Sequence, residues 1–437
     1  MTLAIPIERV PEVLHRVEDI VLFTRYVGQF NIPEHGFQHS YLGGGNTSLN
    51  NGADLIVKLS GHFFSTINET GFGIATIDEI LDGLLLLEPE CDALRRLDYV
   101  QNFDPVNELD RKVAALYTRT NRSGGELSVE AGFHARLRGT LDGPRINMHD
   151  HHSTMNGLLN AWEAEQHSAR LFSDLPYVKF MEFMETGAPL AIEFNRRMRR
   201  WAAEGGEPTV ILMAQHGAIQ TGYTTREVLG LSNLVVTRIQ EDIKSRLPEF
   251  AFGVETYKLP DAAIIEQATA YLKNVMEKKF AACHGINEDA HVMRMLNSDK
   301  ALEIIASGSP NPDACVYGGA YTMNVDYKPG DSFEKLRANI DEAWKAYQRK
   351  HTEESPLYVD RRVYKPKIVL IKGLGAITLG DTEKEALNGH YALLDTVHVM
   401  KTAQAYGGMK PLTYAQLFYM TNWALEIRRA RFAARQK

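Results

Sequence analysis

Short apolar runs rich in β-branched residues alternate along this chain with longer stretches of helical periodicity. Residues 178–182, 210–214 and 368–371 read as buried strands, and helical patterns follow the first two. Residues 41–49 and 53–60 read as two strands joined at Asn50-Asn51-Gly52, a hairpin signal. Residues 145–148 predict a further strand, and 315–325 another. Helices are predicted over 8–30, 104–120, 261–279, 333–349 and 414–431. Ser128 is placed as the N-cap of a helix running to about Leu137, and Ser153 as the cap of one reaching Trp162. Strands alternating with helices predict a layered α/β protein. Polar, proline-bearing punctuation at Leu247-Pro248-Glu249 and Leu259-Pro260-Asp261 divides the chain into 1–255 and 256–437.

One segment is written twice. Val210-Ile-Leu-Met-Ala-Gln-His216-Gly-Ala-Ile-Gln-Thr-Gly222 is echoed by Ile368-Val-Leu-Ile-Lys-Gly-Leu374-Gly-Ala-Ile-Thr-Leu-Gly380, at a constant offset (374 − 216 = 158 residues). The frame continues through Thr224/Thr382 and Glu227/Glu385. Both copies predict a strand, a turn and a helix, and only the first carries a histidine at the turn.

Composition narrows the functional classes. The 437 residues are 44% hydrophobic and 24% charged, as in ordinary globular proteins, and the net charge of −7 gives no basic footprint for nucleic acid. Three widely spaced cysteines argue against a disulfide framework or a Cys-type zinc knuckle. Residues 1–29 lack a basic segment followed by an apolar one, and the apolar run 80–87 is too short to span a bilayer. The expectation is a cytoplasmic protein with no membrane or nucleic-acid partner.

The candidate chemistry gathers on a few polar residues. His149 and His151 stand two apart on a strand and so share a face, while Asp150 points the other way. His216 ends an apolar strand just before Gly217, at the sheet edge where α/β proteins commonly place sites. Three imidazoles and the carboxylate of Glu130 suffice for a catalytic cation with an open position. The alternatives are hydrogen-bonded core histidines and a glutamate that merely complements a helix start. Gly43-Gly44-Gly45-Asn46-Thr47-Ser48 can form an anion nest, with Ser60-Gly61 facing the same anion; a plain tight turn explains the glycines equally well. Lys58, in an apolar strand, is either a Schiff-base amine or an ion-paired lysine.

Taken in order, Gly44-Gly45-Asn46-Thr47-Ser48, Lys58-Leu59-Ser60-Gly61, Ser128-Val129-Glu130-Ala131-Gly132-Phe133-His134, His149-Asp150-His151 and His216-Gly217 resemble the class II aldolase/adducin family. The nearest likeness within it is to the aldolase part of bifunctional rhamnulose-1-phosphate aldolase/lactaldehyde dehydrogenases. The resemblance implies a three-layer α/β/α fold around a mixed, mostly antiparallel sheet, followed here by a C-terminal α/β extension. It implies a homotetramer acting on a small sugar phosphate. It makes His149, His151 and His216 ligands of Zn²⁺ or another divalent cation such as Mn²⁺, and Glu130 the acid/base. Gly45, Asn46, Thr47, Ser60, Gly61 and Ser128 would surround the substrate phosphate. His152 departs from the family's usual proline, and Asp150 from its usual small or amide residue. The implied reaction is cleavage of a ketose 1-phosphate, rhamnulose-1-phosphate-like, into dihydroxyacetone phosphate or an analogue and an aldehyde. The same site chemistry suits a 4-epimerase or a decarboxylase. The adducin branch offers a third reading, a non-catalytic assembly protein.

Overall fold

Residue patterns of period 2 and period 3.6 resolve, in a computed structural model describing residues 4–30, 39, 42–95, 103–247, 249–352 and 364–435, into two compact units. Unit 1 comprises Met1–Leu159 and Glu163–Lys244; unit 2 comprises Asn160–Trp162 and Ser245–Lys437.

Unit 1 is built from strands β1 (Asn46–Asn50), β2 (Asp54–Lys58), β3 (Phe72–Thr76), β4 (Arg145–Asp150), β5 (Val178–Met181), β6 (Val210–Met213) and β7 (Gly217–Gly222). Its helices are α1 (Val17–Gly28), α2 (Ile77–Arg95), α3 (Phe103–Thr120), α4 (Ala131–Arg136), α5 (Ser153–Leu159), α6 (Ala164–Leu171), α7 (Ala188–Glu204) and α8 (Thr225–Lys244). The sheet order is β3-β2-β1-β4-β7-β6-β5, antiparallel throughout except for the parallel pair β5–β6. Asn51 Oδ1 accepts from Ala53 N and Asp54 N, and Gly52 takes φ +93°, which fixes the β1–β2 turn.

Each face of this sheet buries its own core. One joins Ile20, Phe23, Val27, Leu49, Ile146, Met148 and Val228, under α1 and α8. The other joins Phe133, Leu137, Met181, Phe194, Met198, Trp201, Ile211, Met213 and Ile219, under α4 and α7. Helices on both faces of a mixed, mostly antiparallel sheet make the three layers that the family resemblance implies. Burial of these side chains is the main stabilising term, at about 1.5–3 kcal/mol for each large one.

Unit 2 contains β8 (Phe280–Ala282), β9 (Met323–Val325), β10 (Ile368–Ile371) and β11 (Gly375–Gly380), ordered β8-β11-β10-β9. Its helices are α9 (Ala262–Val275), α10 (Ala290–Leu296), α11 (Asp299–Ala306), α12 (Pro312–Gly318), α13 (Phe333–Thr352), α14 (Glu383–Ala403), α15 (Tyr414–Asn422) and α16 (Ala424–Ala433).

Several expectations change. The first long helix begins only at Val17, after a 3₁₀ turn at Ile7–Arg9. Residues 315–325 are not one strand: Asn311 Oδ1 accepts from Ala314 N at 2.9 Å and Pro312 opens the helix, so only Met323–Val325 pairs. The terminal helix breaks into two at Trp423, whose backbone is extended. The echoed segment is a strand–turn–strand–helix, because Gly217–Gly222 and Gly375–Gly380 each complete a hairpin. Tyr41 and Pro248, used above as strand start and punctuation, lie outside the described residues.

Candidate metal centre

β-strand alternation sorts the motif residues. On β4, His149 and Asn147 face α4, and Asp150 faces α8, where its carboxylate accepts from Ser232 Oγ at 3.2 Å and lies 3.3 Å from His39 Nδ1. Register places Asn46 of β1 directly beside His149, and Ile219 of β7 on its other side. His151 follows the end of β4, and His216 closes the turn between β6 and β7. Glu130 enters from the N-terminal edge of α4, with φ −90° and ψ 0°.

These four side chains converge. One ligand-type atom from each of Glu130, His149, His151 and His216 lies within 4.8 Å of the others, and all three histidines are buried. His151 Nε2 stands 3.0 Å from His149 Nε2, His216 Nε2 3.2 Å from Glu130 Oε1, and His149 Nε2 3.5 Å from the same oxygen. His149 Nδ1 is 3.0 Å from the Ala218 carbonyl, which only accepts, so the proton sits on Nδ1 and the Nε2 lone pair turns inward. His216 Nδ1 is buried with no partner among the described residues. Two facing Nε2 atoms need a proton or a cation between them. Donors around a four-coordinate ion at ~2.1 Å lie about 3.4 Å apart, so this set fits a first-row divalent cation.

Charge follows the geometry. Burial alone raises the Glu130 carboxyl, but His149 and His216 outweigh it and hold the group well below the usual carboxylate range. Burial opposes protonation of His149, and Glu130 reverses the sign, raising it. Burial pushes His216 down to about 4 against the pull of Glu130, and His134 down to about 3.

Around the cluster, Asn46 Nδ2 donates to Glu130 Oε2 and to Ser128 Oγ, which also accepts from Glu130 N at 3.2 Å. Ser128 therefore holds Glu130 rather than capping α4; Glu130 itself occupies the cap position. Asn147 Nδ2 donates to Ser48 Oγ at 3.0 Å, Ser48 Oγ lies 2.8 Å from His134 Nδ1, and Thr221 Oγ1 donates to Asn147 Oδ1 at 2.6 Å. The sequence reading missed this ladder. Its signal was polar residues at every second position of otherwise buried strands.

Thr47 is a correction. It points to the other face of β1, fully buried, with its hydroxyl 2.5 Å from Thr24 Oγ1 of α1, so strand alternation removes it from the group around Asn46. Lys58 is also buried, and its Nζ reaches the carbonyls of His62 (2.9 Å), Leu59 (3.4 Å) and Gly43 (3.5 Å). Three carbonyl acceptors around one amine suit an ammonium, an arrangement that disfavours a Schiff-base role. Gly45 and Gly61 both take left-handed backbone, at φ +69° and +80°.

No helix among the described residues is long and apolar enough to cross a membrane. Residues 261–429 match the family model "Aldolase class II, second domain". The chain is 20% identical over 248 residues to the uncharacterized oxidoreductase YuxG of Bacillus subtilis (strain 168), covering 53% of this chain and 35% of that protein. The alignment thus spans about a third of the relative. Among solved structures, it is similar to the N-terminal class II aldolase domain of a conserved protein from Thermoplasma acidophilum (21% identity, 55% of this chain and 100% of that one, TM-score 0.40). A likeness to an L-fuculose 1-phosphate aldolase covers 53% of this chain and 90% of that one, at 13% identity and TM-score 0.33. The family-model match makes residues 261–429 similar to the second domain of a class II aldolase.

Proposed function

We propose that this protein is a divalent-cation-dependent lyase that cleaves a ketose 1-phosphate, rhamnulose-1-phosphate-like, into dihydroxyacetone phosphate or an analogue and an aldehyde. The observation that carries the reading is the convergence of Glu130, His149, His151 and His216 from three separate segments onto one buried point. The three histidines hold the cation, Zn²⁺ by preference for three imidazoles, with Mn²⁺ as the alternative. When bound, it supplies Lewis-acid polarisation of the substrate carbonyl.

The remaining work falls to the chain. Breaking C3–C4 of a ketose turns the C4 hydroxyl into an aldehyde as it loses its proton. The bond's electron pair passes to C3, which then takes a proton. Glu130, anionic at rest, moves the proton at C3 or at the neighbouring hydroxyl. Asn46 and Ser128 hold its carboxylate and backbone in one orientation. Gly45, Ser60 and Gly61 form the phosphate cradle, and Lys58 ties its two loops together through the carbonyls of Gly43 and His62. Remote phosphate binding then orients the reacting carbons. We assign this chemistry to residues 1–255, the extension to 256–437, and the active form to a cytoplasmic homotetramer.

The test is product identity. Ketose 1-phosphates, their unphosphorylated forms and hydroxyacids are incubated with enzyme loaded with Zn²⁺, Mn²⁺ or Mg²⁺. Two carbon fragments from one substrate, lost on chelation and in Glu130→Gln, support the lyase. An isomer alone, or release of carbon dioxide, replaces it with an epimerase or a decarboxylase. Activity that survives exhaustive chelation, with borohydride trapping substrate on Lys58, removes the cation mechanism.

A further inference from the structure

Unit 2 contains a cavity of about 310 Å³, small but within the range of metabolite sites. Asp381, Glu385 and Asn388 at and beyond the start of α14 line it, together with Lys367 ahead of β10 and Arg431 and Arg435 near the end of the chain.

Its charges are unevenly engaged. Asp381 pairs with Lys278 at 2.8 Å. Glu385 Oε2 accepts from Asp381 N at 2.8 Å, and its Oε1 lies 4.0 Å from Lys367 Nζ. Lys367 donates to the Val316 carbonyl at 2.8 Å. Both acids and the lysine therefore have fixed partners. Arg431 and Arg435 are exposed and make no ion pair among the described residues. Four residues apart in sequence, they bring two guanidinium forks to a cavity whose two carboxylates are already engaged by Lys278, Lys367 and a backbone N–H. The N-terminal end of α14, capped by Thr382 accepting from Glu385 N at 3.1 Å, adds to the same sign.

A second, independent observation lies deeper. Asn388 is only 3% exposed, and its Oδ1 has no donor among the described residues although it lines the cavity. A buried amide oxygen is costly to leave unpaired, so the position calls for a hydroxyl or N–H from a ligand. A carboxylate satisfies one guanidinium fork; a phosphate has oxygens for two.

We infer that this cavity binds a small organic phosphate carrying free hydroxyls, its phosphate held by Arg431 and Arg435 and a hydroxyl donating to Asn388 Oδ1. The site is separate in residues from the cluster of Glu130 and the three histidines, and it stands whatever reaction that cluster performs.

The experiment is isothermal titration of the full chain with glycerol 3-phosphate, inorganic phosphate and glycerol. It compares the wild type with the exposed double variant R431A/R435A and with Asn388→Ala. A binding heat for glycerol 3-phosphate is expected that weakens about tenfold or more in R431A/R435A, with glycerol silent. Asn388→Ala is expected to bring glycerol 3-phosphate down to the affinity of inorganic phosphate, leaving the latter unchanged. Identical titrations of wild type and R431A/R435A overturn the proposal, as does the absence of any heat at millimolar ligand. Because both arginines are surface residues, their removal tests the site without testing the fold.

Discussion

In unit 1, β6 and β7 pair from Val210↔Gln220 to Met213↔Gly217; in unit 2, β10 and β11 pair from Ile368↔Thr378 to Ile371↔Gly375, the same register displaced along the chain. In each case the first strand also pairs in parallel with a preceding strand, β5 or β9. The second pairs antiparallel with β4 or β8. Both turns need a residue at positive φ: Gln215 at +52° and Gly373 at +65°. Non-glycine residues there are strained by roughly 1–3 kcal/mol, and the strained copy is the one beside the histidines. What faces the hairpins also differs. The Ala218 carbonyl receives His149 Nδ1 at 3.0 Å, whereas the Ala376 carbonyl receives the Asn287 amide at 3.3 Å, and Ala376 N returns a bond to Asn287 Oδ1 at 2.7 Å. A neutral amide in one copy thus does the backbone work of an imidazole in the other. One framework serves both, and a handful of side chains decides whether it can hold a cation.

The sharpest way to break this comparison is to convert one turn into the other. His216→Leu, which copies Leu374, is expected to lower bound divalent metal by ~100-fold in affinity or more, read by metal analysis after dialysis. The reverse change, Leu374→His, is expected to gain no metal, because Asn287 occupies the place of His149; stoichiometric metal in that variant would refute the assignment of roles.

Next in size is the glycine that follows each turn. A Cβ on Gly217 would stand 2.5 Å from the Asp150 carbonyl oxygen and 2.6 Å from His151 Cδ2, whereas on Gly375 it meets the flexible tip of Ile265 at 2.6 Å and the Asn287 amide at 3.0 Å. Gly217→Ala should therefore cost about 1–3 kcal/mol of stability and displace the histidines, lowering metal content as well. Gly375→Ala should cost less and leave metal content intact. Denaturant melts combined with metal analysis separate the two.

A smaller effect is expected at the strained turn. Gln215→Gly should relieve backbone strain and raise stability by about 1 kcal/mol or less, after the entropy that glycine adds to the unfolded chain. A fall in the denaturation midpoint would contradict the strain argument.

The smallest concerns acid. In unit 2, burial, with Lys401 and His398 adding to it, pushes His291 down to about 4. The unfolded chain therefore binds a proton at His291 that the fold refuses. Its contribution to stability is complete above the ordinary value of about 6.5 and is lost as pH falls from there toward 4. Melting temperatures of wild type and His291→Gln across that window should converge at the acid end.

The clustering of His149, His151 and His216 was legible because period-2 alternation on β4 and the strand-end position of His216 are local facts. The layered fold was legible for the same reason, in its apolar runs. What escaped depended on phase or on partners. Thr47 shares a motif with Asn46 but not a face, and only the pairing with β4 fixes which face is which. Gly-Ala-Ile-Gln-Thr-Gly and its echo read as the turn between strand and helix because glycine flanks a short apolar centre, yet both are strands held by neighbours on each side. The stretch after Asn311 was misread because its apolar residues suit a buried strand, while capping by Asn311 and a leading proline decide for helix. Asn287 carried no signal at all: its role exists only opposite Ala376.

The hydroxyl–amide ladder from His134 through Ser48 and Asn147 to Thr221 crosses three neighbouring strands. Sliding β4 by one position would point Asn147 and His149 at the wrong layer together, stranding every rung at once. The ladder therefore works as a lock on alignment: the sheet cannot be mispaired by a single step without forfeiting both its polar spine and its histidine cluster.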